Sequence, residues 1–299
     1  MMALRPRAVV VHRRTELEEL LDRHSTRGQA EFFLKQRGRS LAQVQDRHDA
    51  AVAARRTVLS AVPSEWAVAE VERADLTRFL FAPEDLVVVV GQDGLVANLA
   101  KYVTTQPVIG VNPEPGINPG VLARHSPEQA VDLIHQTGLQ ASVKLACSGL
   151  TMVEASLDDG QRLRALNEIF IGHPSHQSAR YRLRTSKKDE QQSSSGVIVG
   201  TGTGATGWCA SIAHDRGGAR MPQPVEDALA WFVREAWPSP ATGVSLTAGW
   251  LGPADRLSLT VASDRLVVFG DGIEADTLTV GWGQEISIQV AADRLRLVV

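Results

Sequence analysis

Two glycine-rich stretches contain the residue types that bind phosphate groups in proteins. The first, Gly91–Gly94, reads Gly-Gln-Asp-Gly and lies between the apolar run Leu86–Val90 and a predicted helix. Because glycine has no Cβ atom, backbone N–H groups there can approach phosphate oxygens closely, and the N-terminus of the helix adds partial positive charge. A tight turn in which Asp93 caps the helix explains the same residues, so this stretch alone leaves both interpretations open.

The second stretch, Gly200–Trp208, alternates glycines with threonines and ends in an aromatic residue. It lies between the apolar segment Val197–Val199 and a predicted helix start at Trp208–Ile212. Backbone donors, threonine hydroxyls and an aromatic face together suit a nucleotide. A flexible loop or a glycine bulge would explain the glycines but not the threonines.

A polar pair, Asn167 and Glu168, interrupts the apolar segment Leu163–Ile171 between those two stretches. Polar side chains in such a segment either serve a ligand or satisfy their hydrogen bonds inside the protein. Further along, Asp271 and Gly272 form a dipeptide that is typical of a β-hairpin turn, which is its simplest interpretation.

The sequence pattern of residues 1–125 predicts alternating strands and helices, which is typical of an open α/β domain. Thr15 and Glu18 have the spacing of a capping box that begins a helix. A run that is apolar at every position predicts a strand covered on both faces, as in a parallel sheet between helix layers. The predicted strands are Ala8–Val11, a segment around Trp66–Val71, Leu86–Val90 and Pro107–Asn112, and the further helices are Ser40–Leu59 and Leu95–Val103.

The second part, residues 126–299, predicts a β-rich domain built from short alternating segments. Whether its C-terminal end packs back on the first domain is left open. The predicted strands are Val143–Ala146, Leu163–Ile171, Tyr181–Thr185, Val197–Val199, Leu257–Val261, Leu266–Phe269 and Glu285–Val290. One helix is predicted at Val225–Trp237, ended by the prolines that follow. Ser186–Ser195 is predicted as a polar loop and Val111–Pro119 as a proline-rich one.

Composition argues against several classes of protein. The net charge of −3, from 31 basic and 34 acidic residues, gives no positive field for nucleic acid. The longest aliphatic block, Leu86–Val90, is far too short to span a membrane, and the N-terminus lacks a signal-peptide core. Cys147 and Cys209 are too far apart for a redox or metal motif, and the histidines show no metal-ligand spacing. We therefore expect a cytoplasmic protein without a metal site of its own, a nucleic-acid partner or a membrane partner.

Four motifs in order resemble the NAD kinase family, and more closely its mitochondrial-type branch. Gly91–Leu95 resembles the family's Gly-Gly-Asp-Gly-Thr loop, and Pro107–Asn112 its strand ending in Gly-Val-Asn. Leu166–Glu168 matches its Leu-Asn-Glu motif, and Thr201–Trp208 corresponds to its threonine-rich loop. Ser194–Gly196, which reads Ser-Ser-Gly, resembles the sequence of the mitochondrial-type branch just before its threonine-rich loop.

The resemblance implies a doubly wound α/β domain followed by a β-rich dinucleotide-binding domain, in a homodimer or larger homo-oligomer. It also implies transfer of the γ-phosphoryl group of ATP, with Mg²⁺ or another divalent cation, to the adenosine-ribose 2′-hydroxyl of NAD. Asp93 is the implied catalytic residue. The implied nucleotide-binding residues are Gly91, Gln92, Gly94, Asn167, Glu168, Thr201, Thr203, Gly204, Thr206 and Trp208.

The sequence departs from the family's first motif at two positions and leaves other functions open. Gln92 replaces the second glycine and Leu95 replaces the threonine. A non-catalytic NAD(P) sensor is therefore an alternative, although Asp93 is retained. Lipid or other small-molecule kinases share the first motif, but they usually carry Gly-Thr-Gly-Asn soon after it, where this chain has Asn112–Gly116. The phosphoryl donor and the preference between NAD and NADH are not readable from the sequence.

Overall fold

The computed structural model describes residues 6–117, 119–139 and 145–299, which form two compact units. Unit 1 comprises Met1–Ser148 with Arg296–Val299, and unit 2 comprises Gly149–Leu295. The boundary between the units follows Ser148, later than the predicted domain boundary at residue 125, because the helix Pro127–Leu139 belongs to unit 1. The predicted strand Val143–Ala146 begins outside the described residues. A mixed α/β first unit and a β-rich second unit confirm the predicted fold class.

Unit 1 is built on one sheet, with continuous apolar strands at its centre. Its strands are β1 (Arg7–His12), β2 (Ala67–Glu72), β3 (Leu86–Val90), β4 (Pro107–Val111), β5 (Cys147–Leu150) and β18 (Leu295–Val298). Their order in the sheet is β2-β1-β3-β4-β18-β5. The pairs β1–β2, β1–β3, β3–β4 and β4–β18 are all parallel. Every residue of β3 is buried, as its composition predicts for a strand covered on both faces.

Five α-helices accompany this sheet in the described part of unit 1. They are α1 (Glu16–His24), α2 (Arg27–Lys35), α3 (Leu41–Ala61), α4 (Asp93–Ala100) and α5 (Pro127–Leu139), with a 3₁₀ helix at Arg73–Arg78. The predicted capping box of α1 is present, with Thr15 and Glu18 bonded to each other's backbone. One face of the sheet packs against α3 and α5 through residues such as Val58 and Ile134. None of the described helices is long and apolar enough to cross a membrane.

The strand order places a ligand crevice at the end of β3. The chain passes from β1 to β2 on one side and then to β3 on the other, so the order reverses between β1 and β3. In open parallel sheets such a reversal leaves a crevice at the carboxyl ends of the two strands. Gly91 follows β3 directly, and α4 begins at Asp93 instead of the predicted Leu95. The predicted phosphate loop is therefore short, and Asp93 and Gly94 belong to the first turn of a helix.

Unit 2 is a sandwich of two six-stranded sheets whose described neighbours are antiparallel. Its strands are β6 (Val153–Leu157), β7 (Arg162–Ala165), β8 (Glu168–Gly172), β9 (Ala179–Arg184), β10 (Asp189–Ser194), β11 (Gly196–Gly200), β12 (Leu229–Arg234), β13 (Ala248–Leu251), β14 (Leu257–Val261), β15 (Arg265–Gly270), β16 (Ile273–Gly281) and β17 (Glu285–Val290). The sheets have the orders β10-β9-β14-β17-β6-β7 and β13-β12-β11-β8-β15-β16. A 3₁₀ helix, Thr203–Thr206, and helix α6, Trp208–Asp215, follow β11.

The predicted strand Leu163–Ile171 is two strands, β7 and β8, separated by a bend at Leu166 and Asn167. Two further predictions for unit 2 are wrong. The segment Val225–Trp237 contains strand β12 instead of a helix. Trp231 and Val233 face the sandwich core, whereas Ala230 and Phe232 belong to the apolar layer that contains Cys209 of α6. Because both faces of β12 are covered, its first five residues, Leu229–Val233, are all apolar and the alternation of a strand is hidden.

The segment Ser186–Ser195, predicted as a loop, contains strand β10, which pairs with β9. Strand β10 lies at the edge of its sheet and all six of its residues are polar, although Gln192, Ser193 and Ser194 are buried. The segment therefore lacks the apolar alternation by which a strand is predicted.

Glu190 on β10 fixes the segment that precedes β13. Its Oε1 accepts hydrogen bonds from Ser245 N at 3.1 Å and Ser245 Oγ at 2.6 Å. Its Oε2 accepts from Leu246 N at 3.0 Å and Gln192 Nε2 at 2.6 Å. Burial acts to raise the pKa of Glu190, but these hydrogen bonds outweigh it and lower the pKa to about 2.

Glu190→Gln should lower the free energy of unfolding by about 1–3 kcal/mol at pH 7, because an amide NH₂ group would face backbone donors. The ionised Glu190 contributes fully above its ordinary pKa of 4.5, and the contribution is lost as the pH falls toward 2. Urea unfolding should therefore show the difference between wild type and variant shrinking over that pH range. Glu84→Gln, at an exposed position, should leave stability unchanged. A difference that stays constant with pH would contradict the role of Glu190.

Candidate functional site

The carboxyl end of β3 opens into a cavity of about 210 Å³ in unit 1. Its lining residues are Gln92, Asp93, Asn112, Pro119, Gly120 and Ala123. Gln92 occupies the N-cap position of α4, but its side chain makes no capping hydrogen bond. The predicted capping role of Asp93 is therefore not observed, since Asp93 is the first residue of the helix itself. The volume suits a phosphate-sized group better than a whole nucleotide.

Asp93 accepts three backbone hydrogen bonds from the segment 121–123. Its Oδ1 accepts from Leu122 N at 2.9 Å and from Ala123 N at 2.8 Å, and its Oδ2 accepts from Val121 N at 3.0 Å. An ionised carboxylate has about four acceptor positions, so Oδ2 retains one for a further donor. Asp93 thus holds this segment in place while also lining the cavity.

Two glycines near the cavity, Gly110 and Gly94, differ in the space around them. A Cβ atom on Gly110 would lie 2.9 Å from Ala123 Cα, so the close approach of the 121–123 backbone explains this glycine. A Cβ atom on Gly94 would meet no atom within 4 Å, so packing does not require glycine there. Leu95, at the position of the family's threonine, is buried and offers no group to a ligand. Gly94 is exposed, and the space beside its Cα is open.

In unit 2 the bend between β7 and β8 has all its backbone polar groups satisfied. Leu166 N donates to Asp271 Oδ2 at 3.0 Å, and Asn167 N donates to Asp271 Oδ1 at 2.7 Å. Leu166 O accepts from Thr201 Oγ1 at 2.5 Å, and Asn167 O accepts from Thr201 N at 2.9 Å. The bend is therefore held from one side by Asp271 and from the other by Thr201.

The side chains of Asn167 and Glu168 have no hydrogen-bond partner within the described part of the chain. Both are half-buried, so each presents polar groups that the protein leaves unsatisfied. Burial raises the pKa of Glu168 to about 7, and the negative charge of Asp271 acts in the same direction. Burial, with a smaller contribution from Glu168, raises the pKa of the Cys209 thiol to about 12. The pair is thus a polar site in which Glu168 changes charge near neutral pH.

Two residues predicted to bind nucleotide, Thr201 and Gly204, support this bend. Thr201 is completely buried, and its Oγ1 also accepts hydrogen bonds from Thr203 N at 3.1 Å and Gly204 N at 3.3 Å. Gly204 is buried as well, and its position faces the Asn167 carbonyl so closely that no Cβ atom fits. Close packing therefore explains the glycine that the sequence assigned to a phosphate loop.

The remaining predicted residues of the threonine-rich stretch lie on or beside its surface. Thr206 is exposed, at the end of the 3₁₀ helix. The Oγ1 atom of Thr203 is buried without a hydrogen-bond partner. The stretch is a 3₁₀ turn leading into α6, and not an open loop.

Trp208, the first residue of α6, is 37% exposed but already has two ring contacts. Its ring stacks on Phe170 of β8, with centroids 5.5 Å apart and an interplanar angle of 20°. The guanidinium of Arg234 lies 5.1 Å from the centroid of the Trp208 ring. Packing between α6 and its sheet accounts for the aromatic residue, and its exposed part remains accessible to a ligand.

Asp271 lies in the turn that the sequence predicts, but sequence reasoning missed the bonds that its carboxylate makes to Leu166 and Asn167. Its dipeptide with Gly272 does form a two-residue turn between β15 and β16, with φ values of 54° and 67°. The long-range bonds of its carboxylate have no local sequence signal. Across the described residues, no group of three or more histidine, cysteine, aspartate or glutamate side chains converges as a metal site.

Comparison with solved structures gives a crystal structure of yeast NADH kinase complexed with NADH. The likeness has a TM-score of 0.58 at 15% sequence identity and covers 100% of this chain and 85% of that chain. At this identity the likeness establishes an NAD kinase-like fold. No protein-family model and no curated protein matches the sequence.

Thr201→Val should lower the free energy of unfolding by about 1–3 kcal/mol, because it leaves Leu166 O, Thr203 N and Gly204 N without their buried partner. Chemical denaturation of the purified protein measures this change. Thr206→Val, the same substitution at an exposed position, should change stability by less than about 0.5 kcal/mol. Equal effects of the two substitutions would contradict the supporting role of Thr201.

Proposed function

We propose that this protein is a dinucleotide kinase that transfers the γ-phosphoryl group of ATP to the adenosine-ribose 2′-hydroxyl of NAD or NADH. The observation that carries the proposal is Asp93, a carboxylate with one open acceptor position in a phosphate-sized cavity at the switch point of a parallel sheet. The likeness in fold to an enzyme whose crystal structure contains NADH extends over the whole of this chain. This likeness supports NAD or NADH as the substrate. A cytoplasmic location and a homo-oligomeric assembly belong to the same proposal.

In this reaction Asp93 accepts the proton of the attacking hydroxyl. The ribose O2′ forms a bond to the γ-phosphorus while the bond from that phosphorus to the β–γ bridging oxygen breaks, which releases ADP. The proton of O2′ moves to Oδ2 of Asp93, the oxygen that accepts one backbone hydrogen bond. Hydrogen bonds from Leu122 and Ala123 to Oδ1 fix the orientation of the carboxylate.

The first turn of α4 binds phosphate oxygens in this proposal. The helix dipole and free N–H groups of the first turn favour negative charge, and open space at Gly94 lets a phosphate approach the backbone. The Gln92 side chain is exposed and adds an amide donor. Gly91 precedes this turn and leads from the buried strand β3 into it.

Asn167 and Glu168 bind the dinucleotide in this proposal. The Asn167 amide supplies one acceptor and a pair of donors, and an ionised Glu168 accepts hydrogen bonds from ribose hydroxyls. Thr206 and the exposed part of Trp208 line the same side of unit 2 at the start of α6. Thr203 belongs to the same proposal, and its buried Oγ1 has no hydrogen-bond partner among the described residues.

Mg²⁺ would reach the protein with ATP. Asn112 lines the same cavity as Asp93 and would supply an amide oxygen, a donor type that Mg²⁺ prefers. Mg²⁺ keeps water and phosphate ligands, so one or two protein oxygens are a sufficient donor set. When bound, the ion supplies neutralisation of phosphate charge.

A non-catalytic sensor of NAD or NADP is the second candidate. The observation that favours it is the engagement of Asp93 by three backbone N–H groups, which occupies most of its acceptor capacity. A sensor would bind the dinucleotide and form no NADP. A coupled assay with NAD or NADH, Mg²⁺ and either ATP or polyphosphate separates the two functions and also identifies the donor.

Asp93→Asn should reduce turnover by about 10²-fold or more, because an amide cannot accept the hydroxyl proton. The Kd for NAD should change little, since Asn167 and Glu168 are unaltered. The coupled assay and a binding titration measure these two quantities, and a thermal melt shows how far the 121–123 segment is loosened. A folded variant that retains near-full turnover would exclude Asp93 as the proton acceptor.

Gly94→Ala should raise the KM for ATP by about tenfold, because a new methyl group would occupy the phosphate approach to α4. Stability should stay level or rise by up to about 1 kcal/mol, since alanine favours helix. Gly28→Ala is the matched control, because Gly28 is also the second residue of its helix and its Cβ would also meet open space. Equal KM values for ATP in the two variants would show that the phosphate does not bind at the first turn of α4.

A further inference from the structure

Asp271 does more than a hairpin turn requires. Gly270 and Ile273 pair across the turn, and positive φ values at Asp271 and Gly272 give it the type I′ conformation. Asparagine or aspartate followed by glycine is the usual sequence of such a turn, so the hairpin alone explains the residue type. It does not explain why the carboxylate extends to a different pair of strands.

The carboxylate and the backbone of Asp271 together hold the bend that carries the proposed dinucleotide-binding pair. Its two oxygens accept from the successive N–H groups of Leu166 and Asn167, and its own N–H donates to Glu168 O at 3.1 Å. A carboxylate is suited to this geometry because both oxygens are acceptors, whereas an amide has only one. Three consecutive residues of the bend are thus bound to one turn residue.

The charge of Asp271 also acts on Glu168. The strand residues paired with or next to Glu168 on either side, Gly200 of β11 and Gly270 of β15, carry no side chain. The described groups that interact electrostatically with Glu168 are the Asp271 carboxylate and the Cys209 thiol. The thiol stays neutral near pH 7, so Asp271 is the charge that opposes ionisation of Glu168.

We propose that Asp271 is a positioning residue, which holds the Leu166–Asn167 bend so that the Asn167 amide and the Glu168 carboxylate are presented together to the dinucleotide. The identity of the ligand rests on the proposed function, whereas the hold on the bend does not. A ribose diol donates two hydrogen bonds, so binding favours the ionised form of Glu168. NADH affinity should therefore rise with pH through about 7 in the wild type.

Asp271→Asn separates the hairpin role from the positioning role. Asn-Gly is the strongest sequence for a type I′ turn and asparagine tolerates positive φ, so the hairpin and the fold are retained. The variant loses one acceptor of the bend and the charge that opposes ionisation of Glu168. Asp255→Asn is the matched control, since Asp255 is a turn aspartate of unit 2 whose Oδ2 accepts one backbone bond from Gly252 N at 2.9 Å.

The first measurement needs no ligand. Amide hydrogen exchange at Leu166 and Asn167 should accelerate about tenfold or more in Asp271→Asn and stay unchanged in Asp255→Asn. Titration of the Glu168 carboxyl group by ¹³C NMR should show a lower midpoint in Asp271→Asn. Unchanged exchange together with an unchanged midpoint would overturn the inference.

The second measurement is NADH titration, followed by nicotinamide fluorescence from pH 5.5 to 8.5. Asp271→Asn should weaken binding about tenfold at pH 8 and move the pH midpoint of binding downward, a shift that a merely looser fold would not produce. If the wild type binds NADH and Asp271→Asn binds it with the same affinity and the same pH midpoint, the inference is overturned and the proposed function stands. Faster exchange in the variant without any NADH binding by the wild type would support the hold on the bend and contradict the proposed function.

Discussion

Satisfaction of the backbone at the bend between β7 and β8 is the constraint on which the site in unit 2 depends. A bend leaves the regular hydrogen bonds of a sheet, and unsatisfied buried N–H and C=O groups would be costly. Asp271 accepts from the two N–H groups of Leu166 and Asn167, and Thr201 donates to their two carbonyls. Because every backbone group is bound internally, the polar groups left over belong to the Asn167 and Glu168 side chains. In the proposed function, recognition of the dinucleotide falls to these two side chains.

In unit 1 a single residue both satisfies backbone N–H groups and lines the candidate site. Asp93 binds the backbone of the 121–123 segment and also lines the cavity, so the same carboxylate holds the structure and is the proposed proton acceptor. In unit 2 those tasks fall to separate residues, since Thr201 and Asp271 support the bend while Asn167 and Glu168 face outward from it. Substitutions at Asp93 therefore mix effects on folding and chemistry, whereas substitutions in unit 2 can separate them.

Strands β1 to β4 and the fold class were predictable because continuous apolar runs and capping residues are local signals, as at Leu86–Val90 and Thr15. Strands β5 and β18 of the same sheet were not predicted. Strand β12 was not, because burial of both faces removes the alternation by which a strand is distinguished from a helix. Polar β10 had no apolar face to detect. In the site, Thr201 and Gly204 were assigned to ligand on their residue type, but their partners are distant in sequence and only the fold reveals them.

Strand β18 has a consequence for the order in which the protein is synthesised. It lies between β4 and β5, and Arg296 on it donates to Thr105 O, 191 residues earlier. At about 5–20 residues per second, a ribosome needs roughly 10–40 s to extend the chain over that distance. During that interval β4 lacks its neighbour and has an open edge, which is a template for pairing with another chain. A nascent chain of this protein is therefore most exposed to aggregation, and most dependent on chaperones, after unit 1 has otherwise emerged and before β18 arrives.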